Sequence, residues 1–275
     1  MTALTALLGK EHDLDEVNLA LTRHIRQLAP PIVGALHLTC ADESEWECAG
    51  SFQRCCVEQL LPDLKFAEKS PFRLSNLGGR HERGAIAVAE HHFAAPASQR
   101  AFKVMLVKVS THVAVAGAGR AAQYGSMRRY DTTSTACGAL HALLAGGEGG
   151  FLRELRAAFQ ADGVDRLAVL LDEQQVEPAC RSLFVALVNA HRQLRCVEDE
   201  INTHEPASPT LYIVAACVTF NRPARDTELF AGLLTIDART TPWVREYRGL
   251  GDDPAAYRVQ AEGQRVRVAD AVLAS

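Results

Sequence analysis

Ser134-Thr135-Ala136-Cys137-Gly138-Ala139-Leu140 is a hydroxyl-rich run that gives way to an apolar stretch. That change of pattern reads as a helix start at Cys137. Thr132, Thr133, Ser134 and Thr135 supply side-chain oxygens of the kind that cap first-turn N–H groups. A thiol there feels the positive end of the helix, which favours its thiolate. Upstream, Phe102–Val115 is rich in β-branched residues and bounded by breakers, so it reads as a strand with His112 near its end. Ile32–Thr39, set between Pro30-Pro31 and a polar cluster, reads as a short buried strand that delivers Cys40. Strands alternating with helices predict an α/β fold: a single layered domain with a central mixed, largely parallel sheet flanked by helices. In such sheets ligands gather at the carboxyl ends of the strands, where this reading places Cys40 and His112.

The same patterns predict the remaining elements. Leu14–Leu28 reads as a helix capped by Asp13 and Glu16, and Asp42–Leu61 as a helix ended by Pro62. Ala85–Phe93 reads as a strand, separated from Phe102–Val115 by the turn Ala94–Gln99, and Ala116–Gly125 as a loop. Cys137–Leu144 should be helical until the Gly146-Gly147-Glu148-Gly149-Gly150 run, and Phe151–Ala161 helical after it. Leu167–Leu171 reads as a strand. Pro178–Ile201 reads as a long helix with Leu183, Leu187, Leu194 and Val197 on one face. Leu211–Phe220 and Leu229–Ile236 read as strands around the turn Asn221-Arg222-Pro223. The expected organisation is one α/β domain over 1–275, with a site-bearing core at about 32–144, helices and strands at 151–240, and an irregular tail at 241–275.

Composition limits the function. The chain has 275 residues, 48% of them apolar and 23% charged, with a net charge of −4. That balance suits a globular protein and argues against a nucleic-acid partner, which would ordinarily meet a basic face. No apolar stretch approaches the roughly 20 residues needed to span a bilayer, so no membrane partner is expected. Met1–Lys10 lacks the basic start and the length of a signal peptide, and the expected location is cytoplasmic. In a reducing cytosol the eight cysteines should be thiols, metal ligands or nucleophiles rather than disulfides. Cys48, Cys55, Cys56, Cys180, Cys196 and Cys217 read as buried structural thiols.

The other two cysteines carry the chemistry. Cys40, His112 and Cys137, two at strand ends and one at a helix start, make a candidate three-ligand site for Zn2+. Three protein ligands leave a fourth position for water, the catalytic form of such sites. Asp42 is then the carboxylate beside that water. Plainer readings stand alongside: Cys137 as a packing residue and His112 as a core histidine. Cys137 and His141 lie one helical turn apart and form a rival ligand pair. On the predicted strand His91 and His92 point to opposite faces, and His37 faces with Thr39 rather than Cys40. In the glycine-bounded segment Gly78–Gly84, Arg80 or Arg83 either holds an anion such as bicarbonate or phosphate, or belongs to a solvated turn. The glycine run after Leu144 lacks the Lys-Ser/Thr of a P-loop, and the chain has no GxSxG or HExxH.

The stretch from Gly84 to Leu140 resembles the limiting-CO2-inducible B/C family, carbonic anhydrases related in fold and site to the β class. The resemblance rests on Gly84-Ala85, His91-His92, the strand ending His112-Val113-Ala114-Val115, and above all Ser134–Leu140. Cys40-Ala41-Asp42-Glu43 looks like the family's first zinc motif, which extends the resemblance over roughly Ile32 to Leu144. It implies a β-carbonic-anhydrase-like fold, a homodimer, and Zn2+ held by Cys40, His112 and Cys137, with Asp42 beside the metal-bound solvent. The implied reaction is reversible hydration of CO2 to bicarbonate by zinc-bound hydroxide, since zinc lowers the pKa of bound water from about 15.7 to about 7. Asp42 either orients that hydroxide or takes the fourth position and closes the site. The family places an arginine between the first cysteine and the aspartate; here Ala41 stands there, and Arg80 or Arg83 becomes the candidate partner of Asp42. Three readings therefore stand. The first is a zinc lyase acting on CO2 and bicarbonate. The second is a catalytically inactive zinc- or bicarbonate-binding regulator on the same fold. The third is a metal-free enzyme with Cys137 as nucleophile and His112 or His141 as base.

Overall fold

The computed structural model describes residues 12–13, 32–42, 72–93, 102–117, 122–129, 132–147, 149–161, 178–206, 208–239 and 243–248. In chain order the strands are β1 (His12–Asp13), β2 (Ile32–Cys40), β3 (Phe72–Asn76), β4 (Lys103–Ala116), β5 (Gln123–Tyr124), β6 (Ser126–Arg129), β7 (Thr132–Thr135), β8 (Thr210–Asn221), β9 (Thr227–Asp237) and β10 (Val244–Arg248). The helices are α1 (Ala85–His92), α2 (Gly138–Leu144), α3 (Gly150–Ala161) and α4 (Arg181–Thr203). The main sheet runs β1-β9-β8-β4-β2-β3, with β10 also on β9 and β5 on the end of β4; β6 and β7 form a separate hairpin.

β3, β2, β4 and β8 are parallel neighbours. β9 runs antiparallel to β8, and β1 and β10 run antiparallel to β9. The sheet is therefore mixed and largely parallel, as its alternating strands and helices predicted. β4 sits at its centre, in register with β2 (Leu36 beside Val107) and with β8 (Val109 beside Ala216). Lys103 to Val115 are all buried, which explains the near-continuous apolar run: a central parallel strand is covered on both faces.

α4 covers one face. Leu183, Leu187, Leu194 and Val197 are buried as their spacing predicted, and they join one core cluster with Leu36, Val107, Val109, Val214 and Ile236. Thr111 Oγ1 donates to Ala186 O in α4 at 3.0 Å, which fixes the helix over the centre of β4. Strand alternation turns Lys108, Ser110 and His112 to the other face. That face is buried yet polar. Lys108 Nζ lies 2.7 Å from Glu228 Oε1, and His37 Nε2 lies 3.1 Å from Ser110 Oγ. Burial first, and then the charges of Lys108 and Arg73, hold the His37 pKa well below its usual value, so this histidine is neutral.

Several expectations need correction. Ala85–Phe93 is not a strand; α1 occupies Ala85–His92. Its buried positions are Ala85, Ile86, Ala89 and Glu90, followed by Phe93, which is helical spacing. Alanine and glutamate favour a helix, and Glu200 Oε1 accepts the Ile86 N–H at 2.8 Å, satisfying a first-turn donor. His91 and His92 therefore lie in the last turn of a helix, not on opposite faces of a strand. Thr132–Thr135 do not cap a helix; they pair with Ser126–Arg129, as threonine-rich segments readily do. Gln123–Tyr124, read as loop, pair with the end of β4. The segment after Pro242 is not wholly irregular, because Val244–Arg248 adds a strand to β9. Cys217 is buried, but Cys180 and Cys196 are only half-buried. The expected helix Leu14–Leu28, nearly all of Asp42–Leu61, the turn Ala94–Gln99 and the strand Leu167–Leu171 lie outside the described residues. So do Cys48, Cys55, Cys56 and the tail beyond Arg248.

Candidate metal centre

The parallel strands deliver the site. Cys40 ends β2, where the next residue's N–H, on Ala41, donates to Asn76 O at 3.0 Å. His112 lies near the end of β4, and Cys137 immediately precedes α2. Their ligand atoms all lie within 4.8 Å of one another, and all three residues are buried. The two sulfurs are 3.4 Å apart.

The imidazole is oriented from β8. Its Nδ1 lies 2.8 Å from Asn221 Oδ1, an amide carbonyl that can only accept, so Nδ1 carries the proton. Nε2 then presents its lone pair, with Asp42 Oδ2 3.8 Å away. An imidazole whose far nitrogen donates to a carbonyl is the usual arrangement of a metal-ligating histidine. Asp42 is about a quarter exposed and so stands at the rim.

The sulfurs are held by backbone groups. Gly78 N–H donates to Cys40 Sγ at 3.2 Å. At Gly79 (φ 68°) a Cβ would meet Ser110 O at 2.9 Å, so the chain passes too close to β4 for any side chain. The Cys40 thiol is pulled down to about 4, first by its hydrogen bond with Cys137 and then by His112, against the opposing effect of burial. Cys137 is pushed well above its usual value by the same bond, by burial and by the Cys40 charge, with the Leu140 and Ala139 N–H groups opposing. Together the sulfurs hold one proton and one negative charge. Two buried thiols and a neutral imidazole are a donor set that suits a borderline-soft divalent ion, and zinc fits it.

His141 is exposed and stands outside the cluster, its Nδ1 close to Gly125. His37 bonds Ser110, and His92 packs between the rings of Phe72 and Phe93. Arg80 pairs with Glu82 at 3.0 Å and Glu154 at 2.7 Å. Arg83 is exposed in the turn before α1. From sequence, Asn221 was read as the start of a turn and Gly78-Gly79 as the border of a candidate anion loop, and neither was given a role beside the Cys-His-Cys trio. Asn221 ends β8 and Gly78-Gly79 follow β3, and that place at a strand's carboxyl edge was the available signal.

The same fold occurs in solved structures. PtLCIB4, a homolog of the limiting CO2-inducible protein LCIB, superposes with a TM-score of 0.60 at 13% identity, over 86% of this chain and 95% of that chain. Two single-substitution variants of PtLCIB4 give 0.62 at 13% identity and 0.60 at 14%, each again over 86% of this chain and over 94% and 95% of theirs. No family model and no curated relative matches the sequence. The chain thus has the α/β fold of the limiting CO2-inducible proteins, with a buried Cys-His-Cys cluster at the carboxyl edge of its sheet.

Proposed function

We propose that this protein is a carbonic anhydrase-like zinc lyase that interconverts CO2 and bicarbonate. The observation that carries the reading is the convergence of Cys40, His112 and Cys137 within 4.8 Å. A zinc ion bound there would acidify water to a nucleophile at neutral pH. The chain's own groups do the rest. The sulfurs of Cys40 and Cys137 give up the one proton they share to bind, and Asn221 keeps the His112 lone pair on Nε2. Asp42 Oδ2, at the rim and 3.8 Å from Nε2, orients the reacting solvent and accepts its hydrogen bond. Cys40 and Cys137 belong to one buried apolar cluster with Leu140 and Val113, a setting that excludes bulk water from the sulfurs.

A second reading has its own support. Ala41 stands where the family resemblance expects an arginine, and Arg80 is engaged by two glutamates. A metal- or bicarbonate-binding protein without turnover would fit that arrangement. The metal-free cysteine enzyme fits less well, because Cys137 is buried and held away from its thiolate form. Metal content and stopped-flow CO2 hydration on one preparation test the proposal. One zinc per chain with hydration activity supports the lyase, and zinc without activity supports the regulator. Absence of zinc in protein never exposed to chelator refutes both. No described helix is long and apolar enough to cross a membrane. A cytoplasmic homodimer is part of the proposal, and its mass in solution is the check.

A further inference from the structure

Asn189 lies on α4 and reaches the Gly78-Gly79 turn. It is fully buried, and its Nδ2 donates to Gly78 O at 2.6 Å. Its Oδ1 accepts from Arg192, whose Nε and Nη2 both lie 3.3 Å away. The two sets of partners fix the amide in one orientation: a guanidinium can only donate and a carbonyl can only accept. Gly78 is itself left-handed (φ 70°), a conformation that glycine adopts cheaply but does not adopt by default. Something must hold it there, and Asn189 is the side chain that grips its carbonyl. The N–H of Gly78 points at Cys40 Sγ.

We infer that Asn189, oriented by Arg192, is a positioning residue for the metal centre. It locks the Gly78 backbone so that one N–H is aimed at the Cys40 sulfur. This rests on the metal-centre reading above, and adds that a helix outside the three ligand-bearing segments sets the donor strength of one ligand. A thiolate that accepts an N–H bond is less electron-rich and better fixed than one that does not.

Asn189→Asp tests it, since the carboxylate keeps an acceptor for Arg192 and replaces only the donor to Gly78. In cobalt(II)-substituted protein, the variant should bind cobalt about tenfold more weakly in competition with a chromophoric chelator, the scale of lost outer-shell contacts. Its thiolate-to-cobalt absorption should move to longer wavelength. In the diamagnetic, metal-free protein the Gly78 amide proton, followed by NMR, should move upfield as its bond to sulfur weakens. A merely structural role would lower stability and leave both spectra alone. Wild-type cobalt affinity with an unmoved Gly78 resonance would overturn the inference. A wild-type protein that takes up no cobalt would overturn the metal-centre reading instead, and with it the ligand role. The Gly78 resonance would still decide whether Asn189 holds the turn. If Asn189→Asp does not fold, Asn189→Ser, smaller and uncharged, is measured in the same way.

Discussion

Asn221 Oδ1 accepts the proton of His112 Nδ1 at 2.8 Å, so a residue at the end of β8 decides which nitrogen of a β4 histidine faces the two thiols. Asn221→Leu removes that acceptor and lets the ring rotate or change tautomer. Zinc affinity should fall by about 10- to 100-fold. Asn221→Asp keeps an acceptor and should retain most of it. A competition titration with a zinc chelator separates the two; equal affinity in Asn221→Leu and wild type would show that the contact does not orient the ligand.

The thiol pair predicts a pH dependence for the protein stripped of metal. The folded Cys40 thiol is pulled down to about 4, whereas an unperturbed thiol titrates near 8.5. Between those values the unfolded chain holds a proton that the folded chain does not. Stability from this group therefore grows as pH rises through the window, and is lost as pH falls through the folded value. Cys137, pushed up by its hydrogen bond with Cys40, by burial and by the Cys40 charge, has the opposite sign and subtracts stability in alkali. Melting temperatures of metal-free wild type and Cys40→Ser should diverge from pH 5 to about pH 8, wild type gaining. Parallel curves would mean that the sulfurs do not share a charge.

Lys108 and Glu228 form an ion pair on the face of the sheet away from α4, with side chains only 1% and 0% exposed. Breaking such a pair leaves a buried charge and typically costs about 3–5 kcal/mol, whereas replacing both partners with apolar residues is often neutral. Glu228→Gln should therefore destabilise strongly, and Lys108→Met with Glu228→Leu much less. Urea unfolding of the single and double variants measures the difference. A double variant as unstable as the single would show that the pair contributes more than charge compensation.

How much of this was legible in the chain depends on where the physics lies. β4, β8 and α4 were readable because buried central strands and a helix packed on them demand apolar runs of the right period, and those runs are long. That Cys40, His112 and Cys137 come together was readable because all three fall where runs end. α1 was misread because a short Ala/Ile/Val segment satisfies both periods, and the deciding contact, Glu200 on the Ile86 N–H, lies 114 positions away. The contacts of Asn221, Asn189 and Gly78 escaped notice for the same reason. Their roles are fixed by which residue faces them across the fold, and local pattern carries no trace of that partner.

Two left-handed glycines, Gly79 beside the site and Gly84 in the turn before α1, separate backbone strain from crowding. Gly84 (φ 93°) has nothing within 4 Å of where a Cβ would stand, while Gly79 (φ 68°) would place that atom 2.9 Å from Ser110 O and 3.6 Å from Cys40 N. Alanine pays the cost of a left-handed conformation at both, on the order of 1 kcal/mol. Only at Gly79 must backbone also move, and the backbone in question is that of β4 and of the Cys40 ligand itself. Gly84→Ala should lose about 1 kcal/mol in guanidinium unfolding and keep wild-type zinc content. Gly79→Ala should lose more and release zinc at lower chelator concentration. If the two variants behave alike, the close approach of the Gly79 turn to β4 does not support the metal centre.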